Sequence, residues 1–443
     1  MKVSRRWLSA SAAVSLLLLL VHVIIRSVSD SQRASSPRTS AAADEELLPV
    51  VVPAPTIKLF VYNLGHQPHI ARNWQTCVYD RPLEFDQYAE ELRIVSRLLE
   101  SSFLTTDPEL ADFFLVPVAP MCFMKSFMAQ WATRGCDYEP RHKYDRKCAA
   151  AGAVSPREAL NAHYKAVLEE IALLPYVARR RGKDHVFIFP HGQGANDFKD
   201  WRYNIRHSIF LTPEGNVEQT PVDLRADDAT WFRFDPYKDI VIPGHVGHWA
   251  QLTAPDSATH RHAIFLFFRG NFGAPGSVRW QIAEAARALA VEHPQLQLAV
   301  EHTDVSTSAR FADEDLRAYV EQMRVARFCP VARGATQWTR RLFEAIAAGC
   351  LPVLVNDALA LPFERFVDYD RFIVRVPESS IARGLAQLPR MSMGDVARRR
   401  REMARVAPLF RYATSSKSMR SSIGGDDRGE PDAFALIMAE LGV

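Results

Sequence analysis

The chain lacks a dominant charge: 54 basic residues face 51 acidic ones, for a formal net charge of +3. A nucleic-acid binder's electrostatic footprint is therefore missing. It has no C-x-x-C pair and no His-rich cluster, which speaks against a zinc site. No Asn-x-Ser/Thr acceptor occurs, so N-glycosylation is not expected. The Gly192-x-Gly194 pair is completed by neither a third glycine nor an acidic residue at the spacing of a dinucleotide fingerprint. No internal repeat is visible.

What is present is a chain of 443 residues, 48% hydrophobic and 24% charged, the balance of a globular protein with more than one core. Lys2, Arg5 and Arg6 precede an apolar run from Trp7 to Ile25, which Arg26 closes. Such a run is long enough to span hydrocarbon, and the basic flank predicts a cytoplasmic N-terminus, a type II signal-anchor. A cleaved secretory signal is the competing reading, and both lead into the secretory compartment. The six cysteines, at positions 77, 122, 136, 148, 329 and 350, suit disulfides there.

The expected organisation is a cytoplasmic tail over 1–6, an anchor over 7–25 and a Ser/Ala/Pro-rich stem over 26–55. Two Rossmann-like domains follow over 56–250 and 251–413, then a flexible tail and terminal helix over 414–443. From Ile57 onward short β-branched or aromatic runs alternate with longer amphipathic ones, the signature of α/β units around parallel sheets. Strands are expected at Ile57 to Asn63, Asp112 to Val118, His185 to Pro190, Ser208 to Pro213 and Asp239 to His245. A second series is expected at Ala263 to Phe268, Leu296 to Val300, Arg327 to Cys329, Leu351 to Val355 and Phe372 to Val376.

The segment from Arg327 to Asp357 carries the chemistry. A strand ends in a Gly-containing loop and a helix is expected to start near Thr339, so amide N–H groups would face a cleft. Arg333, Gly334, Thr339, Arg340 and Arg341 suit a nucleotide diphosphate, and Glu344 suits ribose hydroxyls. An exposed Arg-Arg pair and a helix-dipole partner are the structural alternative. Arg269 and Gly270, with Gly273 and Gly276, follow a strand where backbone can approach donor phosphates.

This segment resembles the exostosin family, glycosyltransferase family 47. The resemblance rests on Phe328-Cys329, Gly334, Thr339-Arg340-Arg341-Leu342-Phe343-Glu344-Ala345, Gly349-Cys350, Pro352-Val353 and Leu361-Pro362-Phe363-Glu364. It extends over most of Ile57 to Leu388. It implies a GT-B fold of two facing Rossmann-like lobes, a donor site in the C-terminal lobe, inverting transfer from a UDP-sugar, and a Cys329–Cys350 disulfide. It also implies a Golgi-lumenal enzyme acting on a glycan acceptor; within the family a hetero-oligomer or a non-catalytic partner subunit is an alternative. Thr339 stands where Ser is usual, and Asn63 where Asp is usual, which removes an acid from the acceptor side.

An inverting transferase needs a base for the acceptor hydroxyl. Open parallel sheets place ligands at the carboxyl ends of strands, which points to His191 and Asp197, with His66 a third candidate. Arginines can carry the leaving-group charge, so no metal and no other cofactor is expected. Asp313-Glu314-Asp315 and Asp368-Tyr369-Asp370 have Asp-x-Asp form, but one opens a helix and the other borders a strand, so each is expected to cap rather than to ligate.

Overall fold

In the computed structural model the described residues are 52–53, 55–64, 88–132, 154–217, 232–253, 263–303, 313–334, 336–413 and 431–443. Among them no helix is long and apolar enough to cross a membrane. The expected anchor, His66 and Cys77, Cys136 and Cys148 lie outside the described residues.

Among the described residues eleven strands form two all-parallel sheets. The first contains β1 (Leu59–Val61), β2 (Leu104–Thr105), β3 (Phe113–Leu115), β4 (His185–Ile188), β5 (Ile209–Thr212) and β6 (Ile240–Val241), in the order β2-β1-β3-β4-β5-β6. The second contains β7 (Ile264–Gly270), β8 (Leu298–His302), β9 (Ala326–Ala332), β10 (Leu351–Val355) and β11 (Val374–Arg375), in the order β11-β10-β9-β7-β8. Both orders are doubly wound, with the first-formed strand of each sheet beside the third. In such sheets the crevice for a ligand opens between those two strands, at their carboxyl ends.

Parallel strands are covered on both faces, so their sequences are apolar at every position rather than alternately. On β4, Val186 and Ile188 face the core shared with the helix α1 (Glu90–Leu99), while Phe187 joins Phe114, Tyr164 and Phe210 on the opposite face. The latter face is covered by α2 (Pro120–Ala132) and α3 (Pro156–Ala172). The helix α3 starts where it does because Ser155 and Glu158 form a reciprocal capping box and Pro156 occupies the first helical position.

Around the second sheet lie α4 (Val278–Glu292), α5 (Asp313–Arg324), α6 (Arg341–Ala348), α7 (Ile381–Gln387) and α8 (Met393–Val406). Gly349, at φ 72°, ends α6 and turns the chain directly into β10. The Cys329–Cys350 disulfide, with S–S 2.08 Å, ties β9 to the start of β10 across this strand-loop-helix unit, as the family resemblance implied.

The chain then recrosses. The helix α9 (Ala433–Leu441) packs beside β6, and Asp432 lies 3.7 Å from Arg97 of α1, while Phe434 meets Phe103 at 6.1 Å between ring centroids. The two crossing segments are joined to each other, because the Tyr412 hydroxyl donates to the Pro243 carbonyl at 2.8 Å.

Several expected bounds shift. Strand β7 runs on through Arg269 and Gly270, which had been expected in a loop, because both residues pair with Glu301 and His302 of β8. Strand β9 continues to Ala332 for the same reason, pairing there with Val355. Helix α6 begins at Arg341 rather than Thr339. Strand β2, helix α2 and the arginine-rich helix α8 were not expected.

Candidate functional site

The crevice of the second sheet opens between the ends of β7 and β9, and the expected donor residues converge on it. Arg269 and Gly270 end β7, and Arg333 and Gly334 follow β9. Arg341 donates to the Arg269 carbonyl, and a Cβ on Gly270 would sit 3.4 Å from the Arg341 guanidinium. The Arg341 guanidinium lies 4.9 Å from the Phe268 ring centroid, and its Nη1 is buried without a hydrogen-bond partner.

Arg279, in the first turn of α4, was not anticipated. Its Nε donates to the Arg333 carbonyl at 3.0 Å, and its Nη2 occupies the space a side chain on Gly334 would need, 2.7 Å from the position of a Cβ. Burial, together with the nearby Arg341 charge, pushes Arg279 down to about 10. Among the described residues no carboxylate pairs with Arg279 or Arg341. Two guanidinium groups that close, neither in a direct ion pair and with the buried Glu344 charge acting only on Arg341, form a site for an anion.

Arg333 and Arg269 are positioned differently. Arg333 holds Glu378 at 2.9 Å, and Arg269 lies 3.6 Å from both Glu301 and Asp315. Thr339 precedes α6 and is partly exposed. The Arg340 carbonyl accepts the N–H groups of Phe343 and Glu344, so this segment presents guanidinium charge more than free helix amides.

Glu344, expected to accept ribose hydroxyls, is enclosed by protein groups. It is 3% exposed, and its oxygens are engaged by Arg340 Nε at 2.8 Å, the Tyr319 hydroxyl at 2.5 Å and His248 Nε2 at 3.4 Å. Burial alone would raise its pKa, but Arg340, His248 and Arg341 outweigh it and hold the carboxyl well below the usual range. The Asp368-Tyr369-Asp370 triplet is structural: Asp368 caps the N–H of Asp370, which pairs with Arg375 at 2.8 Å. Among the described residues no group of three metal-ligating side chains converges.

Across from this lobe, His191 and Asp197 follow β4. His191 Nδ1 lies 3.2 Å from Asp197 Oδ1, and the other Asp197 oxygen is buried without a hydrogen-bond partner. Burial opposes charge on His191, but Asp197 and then Glu214 favour it, and the net effect raises its pKa. The Asp197 carboxylate at 3.2 Å favours a proton on Nδ1 and leaves Nε2 to take another, while the Gln193 N–H approaches the same Nδ1 at a longer 3.4 Å.

Glu214, the second residue after β5, joins the two halves. It is 0% exposed, and its Oε2 accepts the Trp338 backbone N–H at 3.2 Å. Burial pushes it up to about 7 against the pull of that N–H and of hydrogen bonds from Thr336, Asn216 and Gln337. Trp338 is seated between glycines: a Cβ on Gly192 would lie 3.2 Å from its ring, and one on Gly244 2.6 Å. Tyr88 sits between the two halves, its ring 4.9 Å from His191 and 6.0 Å from Trp338. An acidic residue directly beyond an apolar strand was the available signal for Glu214; Arg279 had only its place after the crevice strand.

The exostosin GT47 domain model matches residues 53–391. A "Probable glucuronosyltransferase" of Oryza sativa subsp. japonica is 27% identical over 91% of this chain and 85% of its own length. The "Probable beta-1,4-xylosyltransferase IRX10L" of Arabidopsis thaliana is 26% identical over 74% of this chain and 70% of its own. Among solved structures, the pneumococcal O-GlcNAc transferase GtfA in complex with UDP and GlcNAc aligns at TM-score 0.32 and 14% identity, over 56% of this chain and 52% of that one, a slight likeness. The match of the domain model across both sheets places the chain in the exostosin GT47 family of glycosyltransferases.

Proposed function

We propose that this chain is an inverting, UDP-sugar-dependent hexosyl- or pentosyltransferase of GT-B type that modifies a polysaccharide or glycoprotein glycan. The observation that carries the reading is the pairing of a carboxylate-oriented histidine on one sheet with Arg279 and Arg341, which make no direct ion pair among the described residues, at the crevice of the other. In this reading the acceptor hydroxyl gives its proton to His191 Nε2 while its oxygen attacks the anomeric carbon. The bond from that carbon to the diphosphate oxygen breaks on the opposite face, and UDP leaves with its charge met by Arg279, Arg333 and Arg341. Asp197 holds the imidazole and offsets the imidazolium charge, and Glu344 fixes Arg340.

Guanidinium groups on the leaving diphosphate supply what a divalent metal would otherwise supply, so the reaction is assigned no metal. The relatives' names favour a uronic acid or pentose donor. The apolar run at residues 7–25 and the unpaired-cysteine-free second sheet suit a type II membrane protein whose catalytic part faces the Golgi lumen.

The test is thermal unfolding of the purified full chain with UDP and a panel of UDP-sugars, with and without EDTA. A rise in Tm with UDP that survives EDTA and is lost in Arg341→Ala is expected. No response to any nucleotide would leave the chain a non-catalytic partner for another transferase.

A further inference from the structure

The face opposite the proposed active site carries a second constellation. The loops preceding β4, β5 and β6 lie side by side, because those strands are neighbours in the sheet, and they lie at its amino edge, whereas His191 and Glu214 lie at its carboxyl edge. Each loop brings basic side chains: Arg180, Arg181 and Lys183 from the first, His207 from the second, Lys238 from the third. Two hollows open among them. One, of about 490 Å³, is lined by Arg179, Arg180, Arg181 and Lys183 over Phe113. The other, of about 600 Å³, is lined by Lys183, His207, Tyr237 and Lys238, so Lys183 stands on the ridge between them.

The backbone supplies an independent sign. Arg181 and Gly182 have φ values of 56° and 73°, in a turn closed by the Lys183 N–H on the Arg180 carbonyl at 3.2 Å. That is the pattern of a type I′ turn, whose first central position favours Asn, Asp or Gly. An arginine there is conformationally disfavoured, and such outliers cluster where a side chain serves a ligand. Beside it, Tyr237 is 97% exposed, yet its backbone is fixed by an N–H to Asp235 at 3.0 Å. An exposed ring on a fixed turn is a surface on which a sugar can stack.

The acids nearby do not cancel the charge. Asp184 and Asp239 are buried; Asp184 lies 3.4 Å from Arg179 and 3.8 Å from Arg180, and Asp239 pairs with Lys238. Of the two glutamates in the larger hollow, Glu364 and Glu440, the latter faces Arg365 at 3.6 Å, which leaves Arg181 and Lys183 outside these ion pairs. Arg180, Arg181 and Lys183 are exposed at the rims of hollows whose linings include Phe113, Phe234 and Phe363, a shape for a chain of rings bearing carboxylates or sulfates rather than for a flat lipid surface.

We propose that the amino edge of β4–β6 is a second carbohydrate site, which holds an acidic polysaccharide with its anionic groups on Arg180, Arg181 and Lys183 and one ring on Tyr237. Choosing a glycan over other polyanions rests on the transferase reading. The site keeps a long acidic chain on the enzyme while another part of that chain, or another chain, is at the crevice.

The experiment is fluorescence anisotropy of labelled hyaluronan fragments, an unsulfated uronic-acid polymer, titrated with the full chain in detergent. Dextran fragments of equal length and phosphatidylserine vesicles serve as the neutral and lipid arms. Salt-sensitive binding of hyaluronan is expected, weakened about tenfold in Arg181→Asn/Lys183→Ser and also weakened in Tyr237→Ala. Arg181→Asn suits the turn, so loss of binding in the double variant is not loss of fold, and the UDP-induced rise in Tm should persist. Unchanged hyaluronan affinity in the variants, equal binding of dextran, or preferential binding of vesicles would overturn the site. A variant effect on hyaluronan without any UDP response would instead keep the site and remove the transferase reading.

Discussion

The Glu214 carboxylate accepts the backbone N–H of Trp338 at 3.2 Å, and with that bond a residue behind β5 of the first sheet reaches the donor-side loop of the second. Glu214 also raises the proton affinity of His191, so one buried carboxyl touches both the loop that must receive the nucleotide and the group that must accept a proton.

Replacing Glu214 by Gln keeps an acceptor for the Trp338 N–H and removes the charge. His191 must be neutral to act as base, and Glu214 helps hold its pKa up. The acid limb of kcat/KM against pH should therefore move to lower pH in Glu214→Gln. An unmoved limb would show that Glu214 is structural only. Glu214→Ala should in addition lower stability by about 1–3 kcal/mol, since it leaves a buried N–H unpaired.

His191→Ala should lower kcat by about 10²–10⁴ while the UDP-induced rise in Tm is retained. Asp197→Asn removes the carboxylate that orients Nδ1 and raises the histidine pKa, so it should lower kcat and shift the acid limb downward. Loss of UDP stabilisation in His191→Ala would instead place the histidine on the donor.

A Cβ on Gly244 would lie 2.6 Å from the Trp338 ring. Gly244→Ala should cost about 1–3 kcal/mol by overpacking, measured by denaturant unfolding. In a Gly244→Ala/Trp338→Ala double variant the added cost of Gly244→Ala should vanish. Simple additivity of the two changes would mean that the ring does not occupy this seat.

Burial raises Glu91 from 4.5 to about 8, while its Oε1 accepts the Ala119 N–H at 2.8 Å. A carboxyl whose folded pKa is raised stabilises the fold fully below its unfolded pKa, and that contribution is lost as pH rises through the folded value. Glu90 and Glu214 are raised in the same direction. Stability should decline between about pH 5 and 8.5, and Glu91→Gln should flatten the decline in a Tm series across that window.

The sequence disclosed the parallel sheets because their strands are apolar at every position, and it disclosed Arg333, Arg340 and Arg341 because they sit in one continuous segment. Helix α8 stayed hidden: its buried residues are Val396, Glu402, Met403 and Val406 among a run of arginines, too sparse an apolar stripe to show a period. Arg279 and Glu214 were missed because their neighbours are distant in the chain. Glu214 meets Trp338 over 124 residues, across from one sheet to the other, and Arg279 meets Arg333 over 54, brought together by the pairing of β7 with β9. Glu344 was placed on the correct helix, but nothing in the sequence told that Tyr319 and His248 would enclose it.

The return of the chain to its first sheet has a consequence for biosynthesis. Helix α9 covers β6 and meets Phe103, so this flank of the earlier sheet stays uncovered until the chain's last helix has been translated. During synthesis the nascent first sheet therefore presents an uncovered apolar flank, a natural client for chaperones. A premature stop before residue 433 would read out as misfolding of the half of the protein that was made first.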